Sequence, residues 1–269
     1  MNSLYTNLKS IFIDGETFDY VTLDRSVSTY DKLVQALDKP FKLILFYGKP
    51  GTGKTFILQK IYNDFAIKKH IVFLPRPFFE EIAFLKILFQ DAFGETPPSF
   101  SNYNEFLTLI SNHATIEKPI TVLIDEAQLY PVSLIEKIRL LADTRMFRFL
   151  FTVHKTEKED ILAKDYFQTR IWETIELENA SRTEIKTYIE KKFLFHNKAQ
   201  HLDLLRNQHY KFIAKFTYGN LRTINKFLYK LFEILEYYDI HKPSSLTKKS
   251  TLDIKYFEMT AISLGMIHA

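Results

Sequence analysis

The sequence predicts an α/β protein: a three-layer core around a parallel five-stranded sheet, followed by a small all-helical domain. Three observations carry this. From about Phe41 to Leu177, short β-branched or aromatic runs alternate with longer amphipathic stretches, the pattern of a parallel sheet covered by helices on both faces. The run Ile120 to Ile124 is apolar but for Thr121, as expected of a strand buried on both sides. After Glu178 the strand-like period disappears and helical capping signals take over.

In order, Phe41 to Tyr47 reads as a strand feeding a glycine-rich loop, with a helix from Lys54 to about Phe65. His70 to Leu74 is a second strand, Phe79 to Phe93 a helix with apolar residues at three-and-four spacing, and Asn104 to Ser111 another helix. Ile120 to Ile124 is the third strand. A helix over Val132 to Leu141, a strand over Phe147 to Val153, a helix over Glu157 to Thr169 and a strand over Trp172 to Leu177 complete the core.

Ser181 followed by Glu184 is a capping-box signature that opens a helix to about Phe195. A second helix runs from about Leu204 to Phe216 and is stopped by Gly219; Asn220 caps a third, from Leu221 to about Tyr238. Residues 241–250 read as a polar linker and Thr251 to Gly265 as a final helix. The expected organisation is an N-terminal segment (1–34), a core (35–178), a helical lid (179–240), and a linker with a C-terminal helix (241–269).

Composition narrows the class. At 46% hydrophobic and 25% charged residues the chain has the balance of a soluble globular protein. Cysteine is absent, which excludes disulfides and thiolate metal sites and suits a cytoplasmic setting. No apolar stretch approaches the roughly 20 residues of a transmembrane segment, and the N-terminus lacks a secretory pattern. Residues 179–240 hold eleven Lys and Arg against six Asp and Glu, a net +5. That surplus is compatible with DNA contact through a basic lid; a solvated helical surface accounts for it as well.

Gly48, Lys49, Pro50, Gly51, Thr52, Gly53, Lys54 and Thr55 match G-x-x-x-x-G-K-[ST] in full. The motif places consecutive backbone N–H groups around a phosphate, which needs backbone angles and close approaches that glycine tolerates cheaply. Lys54 adds positive charge for the β- and γ-phosphates and Thr55 a hydroxyl for Mg²⁺; the helix starting there, with Phe56 next in line, turns its positive dipole end to the anion. Three of the chain's seven glycines fall in these eight residues. A chance match somewhere in such a chain has odds on the order of a few in a thousand, so the loop is read as a P-loop that binds ATP.

About 70 residues on, Thr121 to Ile124 lead into Asp125 and Glu126. In a parallel sheet the strand ends share one edge with the loop. Asp125 is then placed to hold Mg²⁺ and Glu126 to polarise the attacking water. The run Asp125-Glu126-Ala127-Gln128 separates hydrolytic machines from P-loop kinases, which need no water-activating group.

With GKPGTGKT, LIDEAQ, the Arg170-Ile171 pair and TYGNLRTINKF (217–227), the chain resembles the AAA+ P-loop ATPases. The resemblance is to the branch of ExeA/GspA-type secretion ATPases, MuB/TniB-type transposition ATPases and origin-recognition ATPases, and it spans about 35–240. It implies a sensor at the tip of the fourth strand, for which His154 and Thr152 are the candidates. It also implies an arginine finger at Arg170 acting on a neighbouring subunit, and a second sensor at Arg222 on the lid. A nucleotide-dependent homo-oligomer follows. The partner implied is either a protein at the inner membrane, as in secretion, pilus or DNA-uptake machines, or DNA; an ATP-gated switch without turnover is a third reading, against which Glu126 argues.

Overall fold

The computed structural model describes residues 3–13, 21–112, 119–154, 170–246 and 251–267. The helix expected over Glu157 to Thr169 lies outside the described residues. Two compact units emerge: residues 28–177 form one, and residues 1–27 with 178–269 form the other.

The first unit holds five parallel strands, β1 (Leu43–Gly48), β2 (Ile71–Leu74), β3 (Ile120–Ile124), β4 (Phe147–His154) and β5 (Ile171–Leu177). They lie in the order β2-β3-β4-β1-β5. Every side chain of β3 is buried, Thr121 included, so the apolar run is the signature of an interior strand. The period-two alternation of a strand divides the core in two. Val122, Ile124, Phe149, Phe151 and Val153 face one layer with α4 (Glu81–Phe93), α5 (Tyr103–Ser111) and α6 (Val132–Asp143). Ile44, Phe46, Leu123 and Leu150 face the other with α2 (Asp24–Asp38) and α3 (Lys54–Lys69). The fold is the expected three-layer α/β sandwich.

The second unit is helical among its described residues: α1 (Leu4–Ser10), α7 (Arg182–Phe195), α8 (Asn207–Thr217), α9 (Leu221–His241) and α10 (Ile254–Ser263). The capping box at α7 is formed, with the Ser181 hydroxyl and the Glu184 side chain each satisfying the other's backbone N–H. Asn220 caps α9 by accepting from the Thr223 N–H. Between α8 and α9 the chain passes through Tyr218 at φ 50° and Gly219 at φ 75°. A Cβ on Gly219 would stand 2.0 Å from the Ala180 carbonyl oxygen, so this turn admits only glycine. Phe12 packs on Phe193 and Phe232, which ties α1 and the residues after it into the core of this unit. Residues 1–34 carry two helices, α1 and the start of α2, that periodicity does not announce.

Candidate functional site

β1 delivers the chain to the carboxyl edge of the sheet at Gly48, whose register partners are His154 on β4 and Leu177 on β5. Gly51 and Gly53 follow at φ 79° and 101°, left-handed values that glycine adopts at little cost. The loop closes through the Thr52 hydroxyl, which donates to the Lys49 carbonyl at 2.9 Å. α3 then starts at Lys54, with Gly53 as its N-cap. The first N–H groups of that helix have no carbonyl a turn earlier to bond, so they and the dipole leave a positive concavity at the loop.

Lys54 is buried, at 5% exposure. Its ammonium donates to the loop carbonyls of Gly48 at 3.0 Å and Lys49 at 3.2 Å. Beside it, the Thr55 hydroxyl donates to Asp125 Oδ2 at 2.6 Å. Asp125 is 2% exposed and its N–H extends the β3–β2 ladder by donating to the Leu74 carbonyl at 3.1 Å. The Thr152 hydroxyl, wholly buried on β4, donates to Asp125 Oδ1 and accepts from the Glu126 N–H at 3.0 Å. Thr152 thus clamps the acidic pair from beneath, and of the two sensor candidates only His154 stands at the open end of the strand.

Glu126 occupies the left-handed region at φ 52°, ψ 43°, a conformation that costs a non-glycine residue energy and persists only where its surroundings enforce it. Its carboxylate lies 3.0–3.1 Å from His154 Nε2 and accepts from Gln128 Nε2. Sequence reasoning gave Gln128 no contact; the two-residue spacing from Glu126 across a tight turn was the available signal.

An oxygen-rich pair at Thr55 and Asp125 suits a hard cation such as Mg²⁺, which is held by few protein ligands and otherwise by phosphate oxygens and water. Among the described residues no group of three or more His, Cys, Asp or Glu comes together to hold a metal, so such an ion would rely on the nucleotide. The cradle fits as well. A Cβ on Gly48 would collide with the Leu177 carbonyl oxygen at 2.5 Å, and the remaining glycines lie where the backbone must turn left-handed.

Lys54, Thr55, Asp125, Glu126 and His154 therefore converge. Arg170 does not join them: it precedes β5 at the opposite edge of the sheet, with its Nε 3.6 Å from Asp143 Oδ2. Leu43 pairs with Ile171 and Gly48 with Leu177. Some six residues at roughly 3.3 Å each therefore separate Arg170 from the loop. Arg222 lies on α9, in the other unit.

Residues 38–162 match the AAA domain family. That segment resembles an AAA domain. Over nearly the whole chain the fold resembles those of solved AAA+ proteins, origin-recognition proteins among them. Cdc6p from Pyrobaculum aerophilum is similar at 14% identity and a TM-score of 0.62, over 95% of this chain and 70% of that one. The ORC2 protein of Aeropyrum pernix is similar at 13% and 0.57, over 94% and 71%. An ORC chain from Drosophila, in a structure bound to DNA, is similar at 10% and 0.62, over 98% of this chain but only 66% of that one. At such identities the likeness concerns the fold of the AAA domain and its helical neighbour. No curated protein matches the chain. No described helix is long and apolar enough to cross a membrane.

Proposed function

We propose that the protein is a cytoplasmic Mg-ATP hydrolase that uses nucleotide turnover to assemble or remodel a partner. The observation that carries this reading is the convergence of a glycine cradle and a buried Lys54 with Thr55, Asp125 and Glu126 on one sheet edge. In this reading the backbone from Gly48 to Phe56 wraps the phosphates and Lys54 turns from its loop carbonyls to the β- and γ-phosphate oxygens. Thr55 and Asp125 hold Mg²⁺, which neutralises phosphate charge when bound. Glu126 takes a proton from the water that attacks the γ-phosphorus, as the bond to the ADP oxygen breaks. His154, at the tip of β4, orients the carboxylate and serves as first sensor.

Arg170 is too far along the sheet to reach its own loop, which supports a role toward a neighbouring protomer and hence a nucleotide-dependent homo-oligomer. Arg222 is assigned as the second sensor from the helical unit, on its place in the Gly-Asn-Leu-Arg run. Calorimetric titration with ATP tests the binding half of the reading. Wild type should bind more tightly with Mg²⁺ than without, and Lys54→Ala should lose that affinity; equal binding by both would remove the site.

A second reading makes DNA the partner. It is supported by the net +5 of residues 179–240 and by the DNA-bound ORC structure among those of similar fold. Its mark is ATP-dependent retention of DNA that weakens steeply with salt. A secretion, pilus or DNA-uptake assembly at the inner membrane predicts no such retention.

A further inference from the structure

Gln128 takes no part in the reading above, yet it touches the group that reading depends on. It lies on the 3-10 turn Ala127–Leu129 directly after Glu126. Its Nε2 donates to Glu126 Oε2 and lies 3.4 Å from His154 Nδ1, while His154 Nε2 lies 3.0–3.1 Å from the same carboxylate. A carboxylate only accepts, and a neutral imidazole has one donor and one acceptor. The network therefore sets the tautomer: the His154 proton sits on Nε2 facing Glu126, and Nδ1 accepts from the Gln128 amide. Gln128 Oε1 is buried and makes no hydrogen bond among the described residues. Leaving a buried acceptor unmade is unfavourable, so the orientation of this amide is set by its NH₂ group and the two acceptors it serves.

We propose that Gln128 is a positioning residue for hydrolysis, holding Glu126 directly and fixing the ring of His154 that holds it from the other side. The inference rests on the proposed role of Glu126. Glu126 springs from a left-handed residue on a turn, and its flexible side chain needs both contacts to keep its carboxylate in one place. A displacement of about 1 Å in such a group can lower a rate by around 10²-fold.

Gln128→Met keeps the length of the side chain and removes both donors. The expected result is a fall in kcat of about 10- to 100-fold, with ATP affinity and melting temperature held at wild-type values. Gln128→His, which keeps an N–H donor, should recover most of the rate. In the ATP-free protein, the ¹⁵N shifts of the His154 imidazole should report an Nε2–H tautomer whose Nδ1 resonance moves in Gln128→Met. A wild-type rate in Gln128→Met, a loss of ATP affinity that parallels the loss of rate, or an unmoved Nδ1 resonance would each overturn the proposal. If the Met variant does not fold, Gln128→Ala is read by the same criteria. Loss of rate in Glu126→Gln beside a silent Gln128→Met would sink this inference alone; a wild type without hydrolysis would sink both.

Discussion

Gly48 and Leu177, 129 positions apart in the sequence, lie side by side on adjacent parallel strands, and a Cβ on Gly48 would come within 2.5 Å of the Leu177 carbonyl oxygen. That contact is with backbone, so the strand and not a side chain must give way. Gly48→Ala should lower stability by about 1–3 kcal/mol, the usual range for forced overpacking, and weaken ATP binding because the loop begins at that residue. Urea unfolding and nucleotide titration check both effects; a variant with wild-type stability would contradict the close packing.

The Thr152 hydroxyl serves two buried groups at once, Asp125 Oδ1 and the Glu126 N–H. Thr152→Val keeps the shape but removes both bonds, leaving the Glu126 N–H and Asp125 Oδ1 only each other at 3.0 Å, which should cost about 1–3 kcal/mol and slow hydrolysis. Thr152→Ser keeps the hydroxyl and should stay close to wild type. Equal behaviour of the two variants in unfolding and phosphate release would refute the clamp.

His209 lies wholly buried in the helical unit, its Nδ1 accepting from the Arg206 N–H at 3.0 Å and its ring stacked on Phe257 at 4.5 Å. Burial, helped by the Arg206 charge and opposed by Asp253, holds this imidazole below its ordinary value. The unfolded chain therefore binds the proton more readily than the folded one. Stability is at full value above about pH 6.5 and is lost as pH falls through the lowered folded value. His209→Phe keeps the ring stack and removes the titration. Its urea midpoint should start lower than wild type but stay flatter between neutral and mildly acid pH, and a slope identical to wild type would assign the pH dependence elsewhere.

A protomer with Arg170→Ala keeps its own Glu126, and one with Glu126→Gln keeps its own Arg170. If Arg170 serves a neighbour, each variant alone is inactive and a mixture of the two recovers part of the hydrolysis. Arg170 also sits beside Asp143, whose carboxyl is held low chiefly by the hydrogen bond from Lys42. Asp143→Asn is the control that separates loss of that surface cluster from loss of the finger; a mixture no more active than its parts would contradict the assignment.

The sheet and the loop could be read from the sequence because each rests on local pattern. Ile120 to Ile124 is buried throughout and apolar but for Thr121, and the glycines stand where backbone geometry demands them. α2 escaped because its buried face, Thr29, Leu33, Ala36 and Leu37, includes small and polar residues that leave no clear apolar stripe. α1 spans seven residues, too few for a helical period to show. In the site, Asp125 and Glu126 follow from strand-end logic, and His154, the last residue of β4, from the family resemblance. The clamp by Thr152 depends on register between β3 and β4, and the contact of Gln128 on a left-handed residue at Glu126 that turns a two-residue spacing into a contact.

The most direct measurement is multiple-turnover phosphate release from Mg-ATP by wild type and by Glu126→Gln, at matched nucleotide occupancy. The account predicts steady turnover by wild type and a loss of about 10²- to 10⁴-fold in the variant, the range for removing a general base, with ATP still bound. Equal rates in both proteins would contradict it.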